Sequence, residues 1–154
     1  MPEVPERPAP PPDRFTPAGR ALAAGWLAAL AGGFGLARWL EPAAAGLGTH
    51  QQLGLPPCTV RVLLGVRCPS CGMTTSFAHF TRGAWFDSAA ANAGGFALAL
   101  FCVGLTGWLA ASVWRGRPVR LGAGPGVRGE WVLAAGLGAV GGISLADWAV
   151  RVMW

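Results

Sequence analysis

The 154-residue chain contains no lysine and only 7 acidic residues, so all 12 of its cationic side chains are arginines and the net charge is +5. Charged residues make up 12% of the chain and hydrophobic residues 53%, a balance far from that of a water-soluble globule. The arginines are scattered between apolar segments instead of clustering on one face, which argues against nucleic-acid binding. There is also no Ser-His-Asp motif, no paired carboxylates and no phosphate loop, so the common signatures of hydrolase and nucleotide sites are missing.

What the chain does have is long apolar stretches. Crossing about 30 Å of hydrocarbon takes about 20 apolar residues as a helix, because lipid leaves free backbone N–H and C=O groups unsatisfied. Three segments qualify: about 18–40, 92–114 and 131–150. The first is longer than the apolar core of a secretory leader, so a retained helix is expected even though Ala43, Ala44 and Ala45 would suit a peptidase. Residues 1–17 carry seven prolines among mixed charges and read as a disordered tail, leaving 18–154 as a single membrane domain.

Within the spans, small residues recur four apart, at Ala29 and Gly33, Ala31 and Gly35, Gly107 and Ala111, and Gly138 and Gly142. Such pairs allow close helix packing, within the chain or against other membrane proteins. Trp39, Trp85, Trp114, Trp131, Trp148 and Trp154 fall near predicted span ends, where an indole ring suits headgroup depth. Asp147 and Arg151, four apart, are placed to pair at the same boundary.

The distribution of arginine sets an expected topology. Arg7, Arg14 and Arg20 precede the first span, and Arg115, Arg117, Arg120 and Arg128 crowd the second loop. Arg38, Arg61, Arg67 and Arg82 are spread through the longer first loop. By the positive-inside rule the amino terminus and second loop face the cytoplasm, and the first loop faces the periplasm of a bacterial inner membrane.

That first loop carries the chemistry. Three of the four cysteines fall within fourteen residues, Cys58, Cys68 and Cys71, inside a cysteine loop at about 57–85. Cys68-Pro69-Ser70-Cys71 is a Cys-x-x-Cys turn that aims two sulfurs at one point, followed by Gly72 where the backbone must bend. After it, Met73, Phe77, Phe80 and Ala84 share one helical face and Thr75, His79 and Arg82 another, predicting a short interfacial or re-entrant helix. The positive end of that helix favours thiolate in the turn.

Three readings give these cysteines a role, the remaining outcome being three reduced, inert thiols. In the first, zinc is held by Cys58, Cys68 and Cys71 with His79, or else His50, as fourth ligand. In the second, a disulfide from Cys58 to Cys68 or Cys71 staples the loop, worth about 3 kcal/mol for a closure of this length. In the third, a dithiol exchanges electrons with a partner, Cys68 being the nucleophile and Cys71 or Cys58 resolving. Cys102, mid-span, is expected to be an inert small hydrophobe.

Cys58, then Cys68-Pro69-x-Cys71-Gly72-Met73-Thr74, then Gly83 and Asn92 before an apolar helix, resembles the bacterial membrane family called domain of unknown function 2752. The resemblance runs from about Pro57 to Leu100. It departs from the usual pattern at Thr75, where an arginine is common, and at Ala93, where a proline is. It implies a small multi-pass protein and carries no established activity.

The expected class is thus an all-α integral membrane protein of three transmembrane helices plus one short helix after the cysteine turn. The favoured function is a non-catalytic scaffold or accessory subunit whose cysteine loop is held by metal or disulfide, the alternative a thiol redox or metal-handling protein. On fractionation of lysed cells the chain should sediment with membranes and require detergent for release; recovery in the high-speed supernatant without detergent would contradict the reading.

Overall fold

The computed structural model describes residues 15–117 and 129–153, and the regular elements there are all helices. Most of the proline-rich tail, with Arg7 and Arg14, lies outside the described residues, as do Arg120, Arg128 and Trp154. The three long helices are α1 (Pro17–Trp39), α5 (Ala93–Arg115) and α6 (Gly129–Met153), each long and apolar enough to cross a membrane. Their bounds fall within about three residues of the expected spans. Between α1 and α5 come α2 (Thr59–Leu64), α3 (Met73–Phe80) and α4 (Trp85–Ala91), with a 3-10 turn at Thr49–Leu53 ahead of them.

The expected short helix is α3, and α2 and α4 are additions that the hydrophobic pattern did not signal. Both are too short to show a clear helical period. The long helices begin where local chemistry starts them. Thr16 accepts a hydrogen bond from the Gly19 amide with Pro17 at the first helical position, and Asn92 accepts one from the Gly95 amide.

The interior is the reverse of a soluble protein's. Its fully buried side chains include Thr49, Thr75, Ser76, Ser88 and Ser112, while Leu22, Trp26, Leu100, Trp114 and Leu137 point outward. Lipid supplies no hydrophobic drive between helices, so packing falls to small residues and hydrogen bonds. At two places the spans meet at glycine. A Cβ on Gly94 would stand 2.5 Å from Cβ of Ser144, and one on Gly136 would stand 2.5 Å from Phe101 Cε2. The small pairs picked out by spacing are not these: Gly33, Gly35, Gly107, Gly138 and Gly142 each have open space around the Cβ position.

Polar side chains also close the ends of helices against one another. Arg82 donates to the carbonyls of Ala37 and Arg38 at the end of α1 and to Ala78 in α3. Arg151 donates to Ala90 and Ala91 at the end of α4, and Asp147, 2.9 Å from Arg151 Nε, accepts from the Ala93 amide at the start of α5. The expected Asp147–Arg151 pair therefore also caps the α4–α5 junction, matching acid to a helix start and base to a helix end.

The first loop and the end of α6 lie on one side of the bundle, since Ser144 and Trp148 bond to it directly. On the other side the Phe15 amide donates to Gly116 O, bringing the start of α1 to the end of α5.

Gly94→Ala should lower stability in detergent by about 1–3 kcal/mol, because Ser144 Cα as well as its side chain blocks the new methyl. Gly107→Ala should be neutral or stabilising by up to about 1 kcal/mol through helix propensity. Thermal unfolding of the two variants beside the parent checks the contrast, and equal effects would refute the packing described.

Candidate thiol site

The cysteine turn is built on backbone bonds of its own. The Cys71 amide donates to Cys68 O and the Met73 amide to Ser70 O, leading straight into α3. Gly72 makes this possible with φ 89, and no other residue would fit: a Cβ there would meet Ala91 O at 2.6 Å and Gly46 O at 3.0 Å.

The remaining carbonyls of the turn are satisfied from the spans. Asn92, whose Oδ1 caps α5, uses Nδ2 to donate to both Pro69 O and Cys71 O at 3.1 Å. Ser144 in α6 donates to Pro69 O at 3.2 Å, and the Trp148 indole donates to Arg67 O at 2.6 Å. Trp148 is thus a clamp on the loop as well as an aromatic side chain near a span end.

Behind the turn α3 is fixed by hydroxyls. Thr75 Oγ1 lies 2.8 Å from Thr49 Oγ1, which accepts from the Ala43 amide. Ser76 donates to Asn92 O and Ser88 to Ser76 O. Thr75, expected on a polar face of α3, is in fact fully buried, because its hydroxyl ties α3 to the 3-10 turn.

This framework gathers Cys58, Cys68 and Cys71, whose sulfurs all lie within 4.8 Å of one another in an arrangement that could hold a metal ion. Cys68 Sγ is 3.0 Å from Cys71 Sγ, 3.4 Å from Cys58 Sγ and 3.3 Å from Ser70 Oγ. No disulfide joins them; all are free thiols, each partly buried.

They face a cleft of about 370 Å³, also lined by His50 and Arg61. Among the described residues no histidine or acid joins the three sulfurs within that distance. His79 sits in the last turn of α3, away from the trio, and His50 Nε2 lies 3.2 Å from Pro56 O. Cys102 lies apart in α5, lining a separate apolar crevice.

The thiols are unequal. Burial alone would raise the Cys68 pKa, but hydrogen bonds from Ser70, Cys71 and Cys58 favour its thiolate and bring it down to about 7. Cys71 moves up to about 11, first through burial, then because it keeps its proton to donate to Cys68, whose negative charge adds to the effect. The expected thiolate preference is present, and it comes mainly from these hydrogen bonds.

Residues 58–106 match the family described as Protein of unknown function (DUF2752). The matched segment holds the three clustered cysteines, α3, α4 and the first part of α5, with Asn92 between them, and it bears out the resemblance drawn from the cysteine motif. No curated protein and no solved structure matches the chain.

Within residues 58–106, Ser70 belongs to no sequence motif of its own, and Asn92 is legible in the sequence only as a helix start. Outside it, Ser144 and Trp148 carried no motif that pointed to the turn. An asparagine just ahead of a long apolar run is a legible helix cap, but its two donors to Pro69 and Cys71 become visible only in three dimensions.

A thiol with its pKa near 7 is mostly thiolate above that pH and mostly protonated below it. Alkylation of Cys68 by iodoacetamide, followed by peptide mapping, should rise through a midpoint near pH 7 and level off, with Cys71 remaining slow up to pH 9. Equal rates at the two cysteines across this range would contradict the asymmetry.

Proposed function

We propose that this multi-pass membrane protein is a thiol–disulfide exchange protein whose working pair is Cys68 and Cys71. The observation that carries the reading is the approach of Cys68 Sγ to Cys71 Sγ at 3.0 Å beside an open cleft, with no histidine or acid among the described residues gathered around them. Tetrahedral zinc with Zn–S of about 2.3 Å separates its sulfurs by about 3.8 Å, so the pair is closer than a zinc site would hold it.

The chemistry balances within the pair and its partner. The Cys68 thiolate attacks one sulfur of a partner disulfide, forming a mixed disulfide and releasing the partner's first thiolate. Cys71, on losing its proton, attacks Cys68 Sγ and releases the second. Two electrons pass from chain to partner, and the same steps run backward when a partner dithiol meets the Cys68–Cys71 disulfide. Cys58, 3.4 Å from Cys68, is a third thiol able to accept the bond.

The arginine distribution supports an inner-membrane location with this loop on the periplasmic side, where disulfides persist. The open small-residue faces at Gly35, Gly107 and Gly138 offer surfaces for a membrane partner.

A second reading keeps the protein a non-catalytic scaffold or accessory subunit. Its loop is held by zinc on Cys58, Cys68 and Cys71 with His79 drawn in, or by a disulfide from Cys58 to Cys68 or Cys71. It is favoured by the convergence of three sulfurs where exchange needs two.

Thiol counting with metal analysis on the detergent-purified protein separates the two. The exchange reading predicts a Cys68–Cys71 bond that opens with dithiothreitol, no stoichiometric metal, and reduction of glutathione disulfide that Cys68→Ser abolishes. One tightly held zinc per chain with no exchange activity would establish the scaffold instead.

A further inference from the structure

A crevice of about 460 Å³ opens between α1, α3 and α5, with walls formed by Trp26, Leu30, Phe34 and Phe77 and almost no polar surface. Because α1 and α5 are candidate spans, it lies where membrane lipid would reach it. Two residues of the first turn of α3, Met73 and Thr74, line both this crevice and the thiol cleft. Met73 and Thr74 are thus the wall that the two spaces share, and the head group of an amphiphile with its tail among the aromatic rings would stand against the turn that carries Cys68 and Cys71.

We propose that the crevice binds a lipid-soluble quinone, which oxidises the Cys68–Cys71 pair. The inference rests on the exchange reading above, and it supplies what that reading needs: a dithiol that passes on a disulfide must be reoxidised. A two-electron acceptor with an apolar tail is the class of oxidant this juxtaposition fits. An ordinary acyl chain would fill the crevice equally well but would bring no electron acceptor to the sulfurs.

In the step, Cys68 thiolate donates to the quinone ring, and Cys71, giving up its proton, closes on Cys68 Sγ as the electron pair leaves to the ring. One thiolate, one thiol, one quinone and one proton from water become one disulfide and one quinol. Two electrons move from sulfur to quinone, and the quinol carries both protons away into the lipid.

The test uses the full chain, reduced and reconstituted in phosphatidylcholine vesicles under anaerobic conditions, with decylubiquinone as the probe. Quinone reduction followed by absorbance should match the loss of two thiols per chain and should vanish in Cys68→Ser. Gly33 lines the crevice and has open space around its Cβ position, so Gly33→Leu adds bulk to the crevice wall from a point where the backbone has room for a side chain. That variant should raise the KM for decylubiquinone by about tenfold or more while leaving oxidation by glutathione disulfide unchanged.

Oxidation by glutathione disulfide but not by the quinone would overturn this inference and leave the exchange reading standing. No oxidation by either would overturn both. Quinone oxidation untouched by Gly33→Leu would mean that the quinone reaches the sulfurs by another route and would overturn the assignment of the crevice.

Discussion

A tight cysteine turn set against long apolar helices must have its backbone carbonyls satisfied. A turn of this kind cannot bond all its carbonyls internally, and where helices pack against it water cannot supply the missing donors. The solution is to supply donors from the spans. Pro69 O takes one bond from Asn92 and one from Ser144, filling both lone pairs, while Cys71 O takes the second Asn92 donor and Arg67 O takes the Trp148 indole. Asn92 is the centre of this arrangement, since the same side chain also caps α5.

Sulfur geometry follows from that clamp. With Arg67, Pro69 and Cys71 tied to α5 and α6, the loop has little freedom to splay, and the Cys68 and Cys71 sulfurs stay close. Proximity then divides their acidity, one thiol accepting hydrogen bonds as thiolate and the other retaining its proton. Gly72 completes the logic from below, because only a residue without Cβ lets the turn sit against Ala91 O. The local motif and the distant spans are thus one unit, and the DUF2752 match, running from Cys58 into α5, covers much of it.

How much of this could be read in advance depended on whether the signal was periodic or pairwise. The spans were legible because a long apolar run has few other outcomes, and α3 was legible because Phe77 and Phe80 recur at helical spacing. The convergence of Cys58 with Cys68 and Cys71 followed from their nearness in sequence. Harder to see was that Thr75, Ser76 and Ser88 would be interior, since in a membrane protein hydroxyls take the place that leucine holds in a soluble core. Spacing likewise found small pairs that stand open while missing Gly94 and Gly136, because a small residue shows only that close approach is allowed. The helix-end role of Arg82 carries no sequence signal beyond its charge, and that of Arg151 none beyond its spacing from Asp147. His79, chosen for its nearness in sequence to Cys71, lies at the far end of α3, whereas His50 comes to the cleft from an earlier turn.

Amide hydrogen exchange over the cysteine turn, followed in the parent and in Asn92→Ala in the same detergent, measures what the Asn92 clamp contributes. If Asn92 anchors the turn, protection across residues 68–76 should fall sharply in the variant while the middle of α1 keeps its own. Unchanged protection at the Cys71 and Met73 amides would contradict this and mean that the turn stands without the clamp.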